Sequence, residues 1–263
     1  MGRRAWTREE LILAMNLYCQ IPFGRLHARN PDVIRLSQAL DRTPSSVAMK
    51  LCNLASLDPA HHQRGIKGLS KVSAGDRQIW DEFHSDWGRL AVESEQLRHV
   101  RIEKEDASQI SPRATSGEGK ATDQEFSGET ESVREVRIRL AQRFFRRSVL
   151  ASYDSRCCIT DIAIKPLLIA SHILPWSNNP THRADPRNGL CLSRLHDAAF
   201  DRGLIAFDDE RRLILSKELS EATTNRTLSD AFLRFEGVSL RLPEKFWPDT
   251  LFLNRHRMEV FRG

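Results

Sequence analysis

The sequence predicts an α+β protein: a helical N-terminal domain (residues 1–90), an acidic linker (91–131) and a C-terminal domain (132–263) built on a strand–loop–strand–helix unit. Three observations carry this. Apolar residues recur at helical spacing through the first ninety positions. A Ser/Thr/Gly/Glu-rich stretch poor in aromatics follows. Beyond it, β-branched and apolar runs alternate with turn residues. Charge divides at the same places. Residues 1–90 carry 13 basic and 9 acidic side chains (net +4), 91–131 carry 5 and 10 (net −5), and 132–263 carry 22 and 16 (net +6).

The length of 263 residues suits two domains. No apolar run approaches the ~18 residues a membrane span needs, so a transmembrane protein is excluded at this level. The start, MGRRAWTREE, lacks the apolar stretch of a signal peptide, and a cytoplasmic protein is expected. Cysteines 19, 52, 157, 158 and 191 form no C-x-x-C pair, which speaks against a zinc knuckle; their odd number speaks against a disulfide scaffold. Two basic domains on an acidic tether suit a polyanionic partner, although both charges are also ordinary surface balances.

In the first domain, Thr7 and Glu10 form a capping box ahead of Leu11, Leu13, Ala14, Leu17 and Tyr18. Ile21-Pro22-Phe23-Gly24 ends that helix. A second starts at Pro31 or Asp32, with Val33, Ile34, Leu36, Ala39 and Leu40 inward. Asp41-Arg42-Thr43-Pro44 makes a turn, and a third helix runs from about Ser45 with Val47, Met49, Leu51 and Leu54 apolar. Helix–turn–helix spacing places Arg42, Thr43, Ser45, Ser46 and Lys50 at an exposed helix start, as residues of phosphate- and base-contacting type. Three amphipathic helices also pack with no ligand. Further on, His61 and His62 read as loop residues, and Trp80, Phe83 and Trp87 as one buried helix face. The linker reads as helical up to about Ile110.

The second domain opens with an amphipathic helix over Val133–Tyr153, its apolar side Val136, Leu140, Phe144, Val149 and Leu150. Leu167 to Ile173 has strand content. A polar loop follows, through Pro175-Trp176-Ser177-Asn178-Asn179-Pro180 to Asp185-Pro186. Asn188-Gly189 is a turn dipeptide, Leu190-Cys191-Leu192 a second strand, and Ser193 an N-cap for a helix to Asp201, closed by Gly203. This sets His172 on the first strand, Asn188 where the second begins and His196 in the helix's first turn. Taken singly, a strand histidine is a core residue, Asn-Gly is a turn, and His182 is solvated. Cys157 and Cys158 have no activating neighbours and read as structural.

Ser-His-Ile-Leu-Pro-Trp, Asn-Gly-Leu-Cys-Leu-Ser and Leu-His-Asp-Ala-Ala-Phe-Asp-Arg-Gly-Leu-Ile together resemble the HNH endonucleases of the ββα-metal superfamily, in the branch found in bacterial restriction-type proteins. Phe145-Arg146 to Tyr153, Cys158-Ile159-Thr160, a hairpin over Leu204–Ser216, Leu242-Pro243 and His256-Arg257 fit the same branch. Trp-Thr-x-Glu-Glu-Leu and the run from Leu36 to Val47 resemble three-helix and winged-helix DNA-binding modules over about the first sixty residues. The resemblance implies a divalent metal ion (Mg, Mn, Ni or Zn) and hydrolysis of DNA phosphodiesters, in restriction or defence against foreign or modified DNA. His172 would be the general base, neutral near pH 7 because an imidazole titrates near ~6.5. Asn188 would hold the loop or orient the base, and His196 would bind the metal. The helix N-terminus beneath favours an anionic phosphate.

Arg183, Arg187, Arg194 and Arg202 surround the motif; with Arg42, Ser45, Ser46 and Lys50, Arg187 and Arg194 are the expected nucleic-acid contacts. Where many HNH enzymes carry an acidic ligand before the first histidine, this chain has Ser171. Either His196 holds the metal with waters and phosphate oxygens, or Asp197 or Asp201 helps. A nitrogen-dominated site should prefer Mn, Ni or Zn to Mg. Cutting both strands suggests a homodimer. The alternative is a DNA-binding regulator whose HNH fold no longer cleaves.

Overall fold

The computed structural model describes residues 4–66, 72–102, 131–176, 180–221 and 225–263. Most of the acidic linker, its expected helical extension to Ile110, and Ser177-Asn178-Asn179 lie outside the described residues.

Among the described residues, six α-helices build the N-terminal part: α1 (Arg8–Gln20), α2 (Pro31–Ala39), α3 (Pro44–Ala55), α4 (Pro59–Gln63), α5 (Ala74–Ser85) and α6 (Trp87–Arg101). The start of each follows from local chemistry. Thr7 and Glu10 form the capping box of α1. Asn30 and Thr43 cap α2 and α3, each with proline at the first turn, where its missing N–H costs nothing. Ile12, Met15, Tyr18, Val33, Leu36, Val47, Leu51, Leu54, Ile79 and Phe83 fill one apolar core. Each large side chain removed from water there contributes about 1.5–3 kcal/mol.

Trp80, Phe83 and Trp87 are all buried, but not on one helix. Asp86 takes φ −153° and its carboxylate accepts from Arg89 N, so the chain breaks there and restarts as α6. His61 and His62 are helical, within α4, and His61 is buried with its ring 4.1 Å from that of Phe23.

Helix α7 (Glu131–Ser152) serves two cores. Ala141 and Phe144 join the N-terminal cluster, whereas Phe145, Val149 and, just beyond, Tyr153 join a second cluster. That cluster is closed by an antiparallel pair, β1 (Leu168–His172) and β2 (Gly189–Ser193), then α8 (Arg194–Asp201). The register sets Ser171 opposite Leu190 and His172 opposite Gly189. The expected hairpin follows as β3 (Ile205–Phe207) and β4 (Leu213–Leu215), again antiparallel. Helices α9 (Lys217–Glu221), α10 (Arg226–Ala231) and α11 (Thr250–Glu259) complete the chain. Cys157, Cys158 and Cys191 are buried free thiols, and burial pushes Cys191 up to about 12, far from reactivity.

The segment before α11 reaches back to the N-terminal helices. Lys245 is fully buried, and its ammonium donates to the carbonyls of Tyr18, Cys19 (3.1 Å) and Ile21 (2.8 Å). These carbonyls lie at the C-terminal end of α1, whose last turn carries no basic residue of its own. Phe246 packs beside Tyr18, Trp80 and Trp87.

Candidate active site

The strand–loop–strand–helix unit gathers His172, Asn188 and His196 as the sequence order requires. Asn188 is buried and pins the loop between the strands: its Oδ1 accepts from Leu174 N (2.8 Å), and its Nδ2 donates to Leu174 O (3.3 Å) and His182 O (3.2 Å). Only an amide supplies acceptor and donor side by side for such a bracket.

The His172 ring stacks on Phe145 of α7, with centroids 3.7 Å apart and planes 10° from parallel, and meets Trp176 edge-on at 5.4 Å. Its Nε2 lies 3.0 Å from Arg183 O. A carbonyl can only accept, so Nε2 carries the hydrogen and Nδ1 keeps the lone pair. Burial drives the imidazole down to about 4, against a smaller opposing pull from that carbonyl, so the ring is neutral at physiological pH.

His196 is placed differently from expectation. It is buried, with Nε2 2.8 Å from Ala231 O and Nδ1 2.8 Å from Ser193 Oγ. Nε2 therefore donates to the carbonyl and Nδ1 accepts the Ser193 hydroxyl hydrogen, while Ser193 Oγ accepts the His196 amide as the N-cap of α8. Phe232 lies 4.9 Å from the ring. Both ring nitrogens are engaged, so this imidazole as it stands does not fit a metal ion, which needs an in-plane lone pair.

Ser171 alternates with His172 along β1 and lies on the α8 side. It is 2% exposed, its Oγ has no partner at hydrogen-bonding distance, yet it stands close enough to the Asp197 carboxyl to favour its ionised form. Burial raises Asp197 nonetheless. Asp201, one turn on, is pushed up to about 6 by partial desolvation and then by the Asp197 charge, although it reaches solvent at the helix end.

The expected nucleic-acid contacts fare unevenly. Arg42, read as exposed, turns inward: Nη2 meets Glu10 Oε2 at 2.7 Å, the side chain is 7% exposed, and the guanidinium lies 4.2 Å over Trp6. Lys50 is likewise buried, 2.5 Å from the fully buried Asp76. In both cases a carboxylate distant in sequence neutralises the charge. Arg187 grips Asp185 at 2.7 Å. Ser45 and Arg194 are exposed and Ser46 half-buried. A basic cleft that sequence reasoning missed, of about 620 Å³, lies between α1, α2, α6 and the connection from α7 to β1. Arg25, Arg35, Arg98, Arg147, Arg156 and Lys165 line it against Asp32 and Asp154. Among the described residues no carboxylate lies within 4 Å of Arg25, Arg35 or Lys165. Their separation over 140 positions of sequence hid the grouping.

An antiparallel pair bearing a neutral histidine, a loop-clamping asparagine and a crossing helix is the ββα arrangement of HNH nucleases. Residues 157–208 match the family model described as HNH endonuclease, so this segment of the α+β chain is similar to HNH endonucleases. No curated protein matches the chain. Among the described residues no helix is long and apolar enough to cross a membrane.

Proposed function

We propose that the chain is a metal-dependent DNA endonuclease that hydrolyses phosphodiesters, acting in restriction or defence against foreign or modified DNA. The carrying observation is His172: neutral, ring-stacked, and with Nδ1 left as a lone pair by the Nε2 bond to Arg183 O. Such a nitrogen takes a proton from water as its oxygen attacks phosphorus, while the ester oxygen departs with its bonding pair and is protonated. A bound divalent cation supplies charge neutralisation at the phosphate. Asn188 is a positioning residue that fixes both ends of the loop carrying Arg183. The basic cleft suits the DNA backbone, and paired copies would serve two strands.

A DNA-binding regulator on a non-cleaving HNH fold is the second reading; the engaged His196 favours it. A plasmid-nicking assay in Mg, Mn, Ni, Zn or EDTA, beside His172→Ala, decides. Metal-dependent cutting lost in the variant, with DNA binding retained, supports the nuclease. Binding without cutting in every metal sinks it.

A further inference from the structure

The basic cleft between α1, α2, α6 and the α7–β1 connection joins two kinds of surface. Arg25, Arg35 and Lys165 are exposed on its lining and, among the described residues, have no carboxylate within 4 Å. Leu13, Leu17, Leu36 and Leu150 give it an apolar floor. Two further cations are held in place: Gln20 Oε1 accepts from Arg98 at 2.7 Å and from Arg147 at 3.3 Å. Gln20 is itself braced, because its amide donates to the buried Glu95.

We infer that this cleft is a nucleotide pocket, which takes one unpaired nucleotide with its phosphates on the exposed cations and its base against the leucine floor. This rests on the nuclease reading above and names the form of its DNA. A free nucleotide offers the same chemistry, and the experiment below separates the two sources.

Bases in a duplex are stacked, so a duplex shows a protein its phosphates and groove edges. It has no base face to lay on a concave apolar floor. An unpaired nucleotide has a free base face and a charged backbone together, the combination this cleft matches. Its volume of about 620 Å³ lies within the ~300–1,000 Å³ usual for ligand pockets. Among the described residues no aromatic ring lines it, so the phosphates carry most of the affinity and bases are discriminated weakly. Asp32 and Asp154 line it too, as acceptors that suit base amino groups. At the end of α7, Asp154 and Ser155 take φ 49° and 53°, two successive left-handed residues without a glycine. Both line the cleft, and backbone strain of this kind collects at ligand sites.

The cleft is separate from the hydrolytic histidine. Phe145 and Val149 of α7 belong to the second core, with His172 stacked on Phe145. Arg147 and Ala151, each two residues further on, stand about 200° round the helix and line the cleft. His172 and the cleft thus lie on opposite sides of a helix ~10–12 Å across. The nucleotide held here is not the one cut; at ~3.4 Å per stacked step, the scissile phosphate is about three nucleotides or more along the strand.

The test is fluorescence anisotropy on the full chain in EDTA, which keeps the probes intact, with melting curves on each variant. A labelled blunt duplex is compared with the same duplex carrying a short single-stranded overhang. The overhang should tighten binding about tenfold. Ala163→Trp, at an exposed lining position, puts an indole in the cleft without changing its charge. It should abolish the overhang advantage and leave blunt-duplex binding as in the parent. A folded Ala163→Trp that keeps the full advantage overturns the pocket. So does a parent that binds both probes alike and shows no saturable binding of deoxyadenosine monophosphate. If the probes bind alike but the parent binds deoxyadenosine monophosphate and Arg35→Ala does not, the pocket stands and its nucleotide is a free one. An overhang preference with plasmid left uncut in every metal sinks the nuclease reading and keeps the pocket. Cutting by a parent with neither preference nor mononucleotide binding does the reverse.

Discussion

Phe144 and Phe145 are consecutive on α7 yet belong to different cores: Phe144 lies against Phe83 and Trp87, and Phe145 against His172. One helix thereby fixes the β1–β2–α8 unit against the N-terminal helices. Phe144→Ala and Phe145→Ala should each cost about 3–5 kcal/mol by denaturant unfolding. Only Phe145→Ala should also move the His172 titration upward from about 4, because its ring provides part of the desolvation. Imidazole proton shifts followed against pH separate the two.

Acid should weaken the fold over a defined window. His61, His172 and His256 are each held down to about 4, against 6.5 when unfolded, chiefly by burial. Between those values the unfolded chain binds more protons than the native one. Stability is therefore fully present above pH 6.5 and falls as pH drops toward 4. The buried His256 accounts for up to about 3 kcal/mol of this. Urea midpoints measured across that range would show a flat line if the histidines were solvated.

Asn188→Ala removes three hydrogen bonds from a buried position and should cost about 1–3 kcal/mol. Exchange of the Leu174 amide should accelerate, and kcat should fall more than KM rises. An unchanged Leu174 exchange rate would refute the clamp.

Gly203 has φ +69°, and a Cβ there would lie 2.0 Å from the Val260 carbonyl oxygen, where α11 ends. Backbone at both ends leaves nothing flexible to move. Gly203→Ala should lose more than about 1 kcal/mol from the dihedral alone and more from the clash. A melting temperature equal to the parent's would contradict this.

Replacing Arg25, Arg35 and Lys165 together with alanine should weaken DNA binding and flatten its log–log salt dependence by up to about 3. Lys50→Met should leave that slope unchanged while altering stability, since Lys50 faces Asp76 and not solvent. The opposite pattern would return DNA recognition to the start of α3.

What was legible in the sequence was local. The capping box of Thr7, the proline starts of α2 and α3, the register from His172 to Ser193 and the N-cap of α8 each follow from residues a few positions apart. The partners that decide availability are distant. Glu10 reaches Arg42, Asp76 reaches Lys50, and Ala231 O reaches His196 across 35 residues. No periodicity encodes such pairings, so charges read as free are neutralised and the histidine expected to bind a metal has both ring nitrogens engaged. Strand alternation could have separated Ser171 from His172; that signal was present and outweighed by motif order.

Lys245 and Phe246 also impose an order on synthesis. The end of α1 is written into the first twenty residues, but its capping cation and the aromatic that seals its core are translated more than 220 residues later. As the chain leaves the ribosome, the N-terminal helices emerge with an open seam and unsatisfied carbonyls. Closing it requires contacts of very long sequence separation, which form slowly. Residues 157–208 are therefore synthesised before that support is, and until then the seam leaves apolar surface of the N-terminal core uncovered.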